Sequence, residues 1–436
     1  MERRNESSAI MAGYAQPPKK YAYYVFALLF LLYLFNYMDR IVVTSLFPFI
    51  QKEWGLTDTQ AGMLVSVVFA AIVILTLPAS ILVDRWSRKK TIGIMALLWS
   101  IATAICAFTK SFPQLLAARL GIGIGEAGFA PGGTAMLSSF FPPEKRSQVM
   151  GLWNAAIPLG MALGIGVGGF IAEIWGWRYA FGLVAIPGAI VAILFFFIKD
   201  YKTVDLVKTV EAGKIQSRIK MSKMDVLWEF IGTPSLIYTN LGFAGCIFCS
   251  AAMMTWLPTF FHRMEGIPMS QAGLKTSFIM LLAIIGGPLG GWLADTWFRR
   301  RVSARLLFPA ISTLLNAMVL LLAFLFFSGK MQYIMLLANG VLIMAFAPAA
   351  ITVTQEVIHP GLRAISYAVC VIVQNSLGAF TAPIVIGRIS DTYGIKTAMC
   401  ILPAFMLLSS LLYFVGSLHY ERDLDKVEKI SLEFEE

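Results

Sequence analysis

The sequence predicts an all-α integral membrane protein with twelve transmembrane helices in two pseudo-symmetric six-helix bundles. Three observations predict it. The first is composition: of 436 residues, 58% are hydrophobic and only 14% charged, with a mean hydropathy of +0.73, whereas soluble domains carry about 25% charged residues. That is too little polar surface to cover a water-soluble globule, so lipid is the solvent. The second is a series of apolar stretches, each near the roughly 20 residues needed to cross a bilayer. The third is a charged loop that recurs six helices later.

In chain order, residues 1–20 are polar and basic with no apolar core, which predicts a cytoplasmic tail and not a cleaved signal. Apolar segments follow at roughly 22–48, 59–83, 91–109, 112–138, 148–173 and 178–198, forming a first bundle over residues 21–198. Residues 199–232 hold the longest polar stretch, with seven basic and five acidic side chains between Lys199 and Phe230. Apolar positions at helical spacing make it a cytoplasmic linker with a helix lying on the membrane surface. Segments at roughly 235–261, 270–294, 304–327, 331–356, 363–389 and 395–418 form a second bundle over residues 233–418, and 419–436 is a C-terminal tail.

A net charge of +10 in a soluble chain would suggest a nucleic-acid partner, but here the cations lie in short runs between apolar stretches. The loop after the second segment carries Arg85, Arg88, Lys89 and Lys90, and the loop after the eighth carries Arg299, Arg300, Arg301 and Arg305. Loops of the other parity hold about one cation each, such as Lys52, Lys110 and Lys330. Cation-rich loops stay in the cytoplasm, so both tails are expected there, in a multi-pass protein of the cell membrane. The five cysteines lie in apolar segments and behave as small hydrophobes; Cys246 and Cys249 form a C-x-x-C without the strand pattern of a redox fold. His262, His359 and His419 sit at segment ends, so no metal site or nucleophile–base pair can be assembled, and no phosphate-binding loop is present. An enzyme is thereby excluded, no cofactor is expected, and an ion gradient is the energy source.

The recurring loop reads Ser80-Ile-Leu-Val-Asp84-Arg85-Trp-Ser87-Arg88-Lys89-Lys90 in the first half and Gly291-Trp-Leu-Ala-Asp295-Thr-Trp-Phe-Arg299-Arg300-Arg301 in the second. It resembles the G-x-x-x-D-R-x-G-R-K loop that the major facilitator superfamily repeats in these two places, with Ser80 and Ser87 where that pattern has glycine. The resemblance covers the chain after the first 20 residues and implies the major facilitator fold. A carboxylate among cations at a helix end can hold two bundles together on one side, so Asp84, Arg85, Arg88, Asp295 and Arg299 are the expected conformational latch of an alternating-access cycle. Gly121, Gly123, Gly125 and Gly128, then Gly160, Gly164, Gly166, Gly168 and Gly169, predict close helix contact in the fourth and fifth segments.

Charges inside apolar segments are costly and persist where they face a cavity or a partner. Asp39 and Arg40 in the first segment, and Arg119 and Glu126 in the fourth, are such charges; the latter two are seven apart and share a helix face. All four are expected to converge on one cavity. An arginine beside a buried carboxylate favours its ionised form, so an anion that occupies the arginine favours proton uptake, the reciprocal linkage a symporter needs. Asn36-Tyr37-Met38-Asp39-Arg40 with the Arg119-to-Glu126 run resembles the anion:cation symporter branch of the superfamily. The Gly125-Glu126-Ala127-Gly128 run and Ile157-Pro158-Leu159-Gly160 resemble the Spinster-like branch, linked to lysophospholipids. Either resemblance implies proton coupling at Asp39 and Glu126, with Tyr37, Arg40 and Arg119 around an anionic group. Asn154, Trp256, Gln374 and Asn375 are expected to add hydrogen bonds and shape. The expectation is a monomeric, proton-coupled symporter of a small organic anion, a carboxylate, with a lipid transporter as the alternative.

Overall fold

The structure is a computed structural model and describes residues 18–141, 143–199, 229–359 and 362–427. Among them, eleven helices are long and apolar enough to cross a membrane. In the first half these are α1 (Lys19–Trp54), α2 (Asp58–Arg85), α3 (Arg88–Cys106), α5 (Gln148–Trp175) and α6 (Trp177–Phe195). The remaining place in that half, α4, is taken by two shorter pieces, Phe112–Glu126 and Phe129–Phe140. The second half holds α7 (Pro234–Glu265), α8 (Met269–Phe298), α9 (Ala304–Phe326), α10 (Gly329–Glu356), α11 (Arg363–Met399) and α12 (Leu402–Asp425). Linker residues 200–228 lie outside the described residues.

Local sequence explains the punctuation. Thr57 and Gln60 start α2 with a reciprocal capping box, and the Ser87 hydroxyl accepts from Lys90 N at 3.1 Å to start α3. Gly55 and Gly266 end α1 and α7 with φ of 65° and 64°, and Gly176 and Gly394 make the later turn of each half with φ of 97° and 81°. Matching glycines in a region that a β-carbon disfavours mark the two halves as copies of one plan. Several helices are interrupted, two of them by a change of helix type within the span. α1 passes through a 3-10 stretch at Val42–Leu46, and α11 through a π segment at Gln374–Ala379. Such wide or tight turns recur at functional sites.

The halves meet through α2 against α11 and α5 against α8. A β-carbon on Gly62 would lie 2.3 Å from the Pro383 carbonyl oxygen, and one on Gly273 would lie 2.9 Å from that of Ile165. Only hydrogen fits at either place. Ser66 donates to Phe380 O and Ser277 to Ala162 O, both at 2.6 Å. Further hydrogen bonds between the halves, from Arg263 to Asp58, from Asp58 N and Thr59 N to Asp391 and from Ser270 N to Glu173, lie toward the face of the α1–α2 and α7–α8 turns.

Candidate functional site

The breaks in α1 and α4 lie against each other and carry the buried charges. Arg40 occupies the last α-helical turn before the 3-10 stretch, and Glu126 is the last residue of the first α4 piece. Arg40 donates from Nε to Glu126 Oε2 at 3.0 Å, with Nη2 2.8 Å from the same oxygen. Its Nη2 also donates to Asn36 Oδ1 at 3.2 Å, and the guanidinium lies 4.5 Å from the Tyr37 ring centroid and 5.4 Å from that of Phe69. The Glu126 side chain is wholly buried and that of Arg40 is 11% exposed. A buried ion pair is thus held between α1 and α4, with its small remaining exposure on the arginine side.

The glycines of α5 make room for this. β-Carbons on Gly160 and Gly164 would meet the backbone of Leu34 at 2.4 Å and of Met38 at 2.9 Å. α5 therefore packs directly on the backbone of α1 beside Tyr37 and Asp39. Across α4, β-carbons on Gly123 and Gly125 would meet the Val68 carbonyl oxygen and the Trp99 nitrogen, each at 2.6 Å. Close glycine packing fixes the register in which Glu126 meets Arg40.

Arg119 does not join the pair. It exposes no surface and donates from Nε to Leu64 O at 2.9 Å, from Nη1 to Asp39 O at 2.8 Å and from Nη2 to Arg40 O at 2.6 Å. Asp39 O and Arg40 O lie where α1 turns into the 3-10 stretch and Leu64 O lies in α2, so Arg119, expected to contact substrate, ties the bend of α1 to α2 in this structure. Asp39 is likewise fully buried, and neither carboxyl oxygen has a hydrogen-bond partner among the described residues.

The other expected contacts are dispersed. Trp256 is fully buried, donates from Nε1 to Pro383 O at 3.1 Å and packs on Phe47, joining helices in this structure. Asn154 is exposed where the two pieces of α5 join. Gln374 and Asn375 are half-buried at the start of the π segment of α11, with Asn375 Nδ2 donating to Val371 O at 2.8 Å. Asp295 pairs with Arg305, which also reaches Glu356 at 3.4 Å, all within the second half, and Arg299 is exposed. The side chains of Asp84 and Arg85 lie outside the described residues.

Sequence reasoning missed a polar network on the opposite face that does cross between halves. Arg263 holds Asp58 with both Nη atoms at 2.7 Å; Asp391 accepts from Asp58 N at 2.6 Å and Thr59 N at 2.9 Å. Ser390 Oγ donates to Asp58 Oδ2 at 2.5 Å, and Gln51 Nε2 donates to Asp58 Oδ1 at 2.6 Å. The signal was the Thr57-Asp58-Thr59-Gln60 helix start, which places an acid where the partner half can reach it. Cys246 and Cys249 are buried, free thiols. Among the described residues no cluster could hold a metal ion.

Bundles that meet along glycine seams around a buried ion pair define a membrane transporter. Residues 29–383 match the family model of the Major Facilitator Superfamily, and the chain belongs to that superfamily. It is 28% identical to the hexuronate transporter of Bacillus subtilis (strain 168), over 65% of this chain and 67% of that protein. It is 27% identical to a probable sphingolipid transporter, spinster homolog 1, of Arabidopsis thaliana, over 88% of this chain and 82% of that protein. Among solved structures, a bacterial homolog of the human lysosomal transporter Spinster, in an inward-facing and unoccupied conformation, superposes with a TM-score of 0.82 at 23% identity, covering 95% of this chain and all of that one. Relatives and fold are those of transporters, not enzymes.

Proposed function

We propose that this transporter is a proton-coupled symporter of a small organic anion, a carboxylate, working by alternating access as a monomer in the cell membrane with both termini cytoplasmic. The observation that carries the reading is the Arg40–Glu126 pair, buried on its acidic side and open on its basic side. A guanidinium fork suits a carboxylate, so a substrate carboxylate competes with Glu126 for Arg40. Once displaced, Glu126 stands without a counter-ion in a dry site, and a proton keeps it neutral. Anion and proton then favour each other's binding by the same factor. Tyr37 supplies a ring face beside Arg40, and Gln374 and Asn375, half-buried in α11, are proposed to add hydrogen bonds from the second half. The hexuronate transporter's similarity supports an anionic sugar acid as the substrate class.

A second reading, transport of an amphipathic lipid with an anionic head group at Arg40, is favoured by the similarity to the sphingolipid transporter homolog. Proteoliposomes separate the two. With an inward proton gradient, the first reading expects accumulation of labelled galacturonate that collapses with a protonophore. Flux of lysophospholipid or sphingosine, with no competition from any short organic acid, would replace it with the second.

A further inference from the structure

Asp39 points somewhere other than the Arg40 cavity. Successive helix residues are about 100° apart, and while Arg40 turns to Glu126 and Tyr37, the Asp39 carboxyl turns to α3 and α6. A β-carbon placed on Gly188 of α6 would lie 3.0 Å from Ser100 Oγ, 3.6 Å from Phe35 Cβ and 3.8 Å from Asp39 Oδ2. Ser100 and Asp39 therefore both reach the α6 backbone at Gly188, where a side chain would crowd them. Thr103, one turn on from Ser100, stands beside the same carboxyl. All three are at most 1% exposed, and Asp39 Oδ1 and Oδ2, Ser100 Oγ and Thr103 Oγ1 have no hydrogen-bond partner among the described residues. Buried polar atoms in native proteins are satisfied by protein or by ordered water. Ser100 Oγ and Asp39 Oδ2 lie beside Gly188 and Phe35 and Thr103 stands against the same carboxyl, a cluster of polar atoms whose unused bonds an internal water could complete.

We propose that Asp39, Ser100, Thr103 and Gly188 enclose a water site behind α1, separate from the Arg40 cavity, and that Ser100 and Thr103 are positioning residues for the coupling proton on Asp39. The water donates to an ionised Asp39 and accepts from Ser100 or Thr103. When Asp39 takes a proton, the water turns to accept from it and the hydroxyls turn with it. The other charged or titratable groups facing Asp39 are Arg119 and Glu126 of α4 and Cys106 of α3, with Arg40 beside it in sequence. Arg119 is fixed on backbone carbonyls, so hydroxyls and water are the groups left to respond. This inference rests on the proton-coupled reading above.

The test is the pH profile of transport by the full-length protein in proteoliposomes. Ser100→Ala and Thr103→Val each remove a hydroxyl at nearly constant volume, and Gly188→Ala puts a methyl group into the site. Hydrogen bonds to a carboxylate favour its charged form, so the three variants should move the midpoint about half a unit or more toward alkaline pH, with substrate KM within about twofold. Thr103→Ser should restore the wild-type midpoint. A role in packing alone would lower the rate of all variants at an unmoved midpoint, which overturns the water site. Drive by a sodium gradient in wild type, lost in Ser100→Ala, would also overturn it and make the same atoms a cation site. If wild type accumulates substrate on a proton gradient while the midpoints stay put, this inference alone fails; if it does not, the coupling reading fails with it.

Discussion

The two halves share a plan and divide the chemistry. In the first, Asp39, Arg40, Arg119 and Glu126 are buried around the breaks in α1 and α4, and several of their polar atoms lack partners. In the second, the buried groups deep in the helices are neutral: Asn339 donates to Asn316 at 2.6 Å, Gln332 to Ala323 O at 2.7 Å and Trp256 to Pro383 O at 3.1 Å. Its buried acid, Asp423, sits at a helix end and caps Ser235 N at 2.9 Å. Charges deep in apolar helices persist where they pair or face a functional path, so on the proposed reading the charged first half is the working half and the neutral second half its wall.

Substitutions can break or sharpen that division. The largest effect is expected from Arg40→Ala, which leaves Glu126 buried without its partner: roughly a thousandfold loss of transport kcat/KM, or about 4 kcal/mol. Glu126→Gln at the same pair should abolish gradient-driven accumulation yet retain counterflow exchange, and accumulation at the wild-type level would remove Glu126 from the coupling path. Arg119→Met strips three carbonyls of a charged donor and should cost on the order of 3 kcal/mol of stability, read as a lowered Tm in detergent. If the Tm holds while affinity falls, Arg119 contacts substrate after all. Asp391→Asn weakens the cross-half network at Asp58 and Thr59 and should shift the conformational population by about tenfold, near 1.4 kcal/mol. Cysteine accessibility on the two faces measures that shift. The smallest effect belongs to Trp256→Phe, which removes one interior hydrogen bond worth roughly 1 kcal/mol. KM should stay within about twofold, and a tenfold rise would move substrate recognition into the second half.

Much of the architecture is legible from apolar run length alone, because a bilayer imposes one length on every crossing. The break at Ala127-Gly128 in α4 is not, since Gly125-Glu126-Ala127-Gly128 continues an apolar glycine-rich run and nothing in hydropathy marks where a helix stops being one. Charge in an apolar segment pointed to Asp39, Arg40, Arg119 and Glu126, but spacing could not tell which arginine would meet the acid. The seven-residue separation of Arg119 and Glu126 puts them on one face, whereas carbonyls of α1 and α2 take the donors of Arg119 first. The Asp58–Arg263–Asp391 network escaped because charges at helix ends read as loop charges until the two halves are placed side by side. Asp295 was read as a latch from its motif, and in this structure its partner is Arg305 of its own half.

The one-sided seam also has an electrical meaning. A membrane potential falls across whatever part of a protein keeps out water and ions. With the halves joined at Gly62 against Pro383 and Gly273 against Ile165, that seam takes the larger share of the voltage. Arg40 and Glu126 then stand near the potential of the other compartment, and moving the seam to the opposite face carries their net charge through the field. One elementary charge is worth about 2.3 kcal/mol per 100 mV. A cycle that carries one monovalent anion with one proton is blind to the membrane potential, while a second proton, on Asp39, makes the potential itself a driving force.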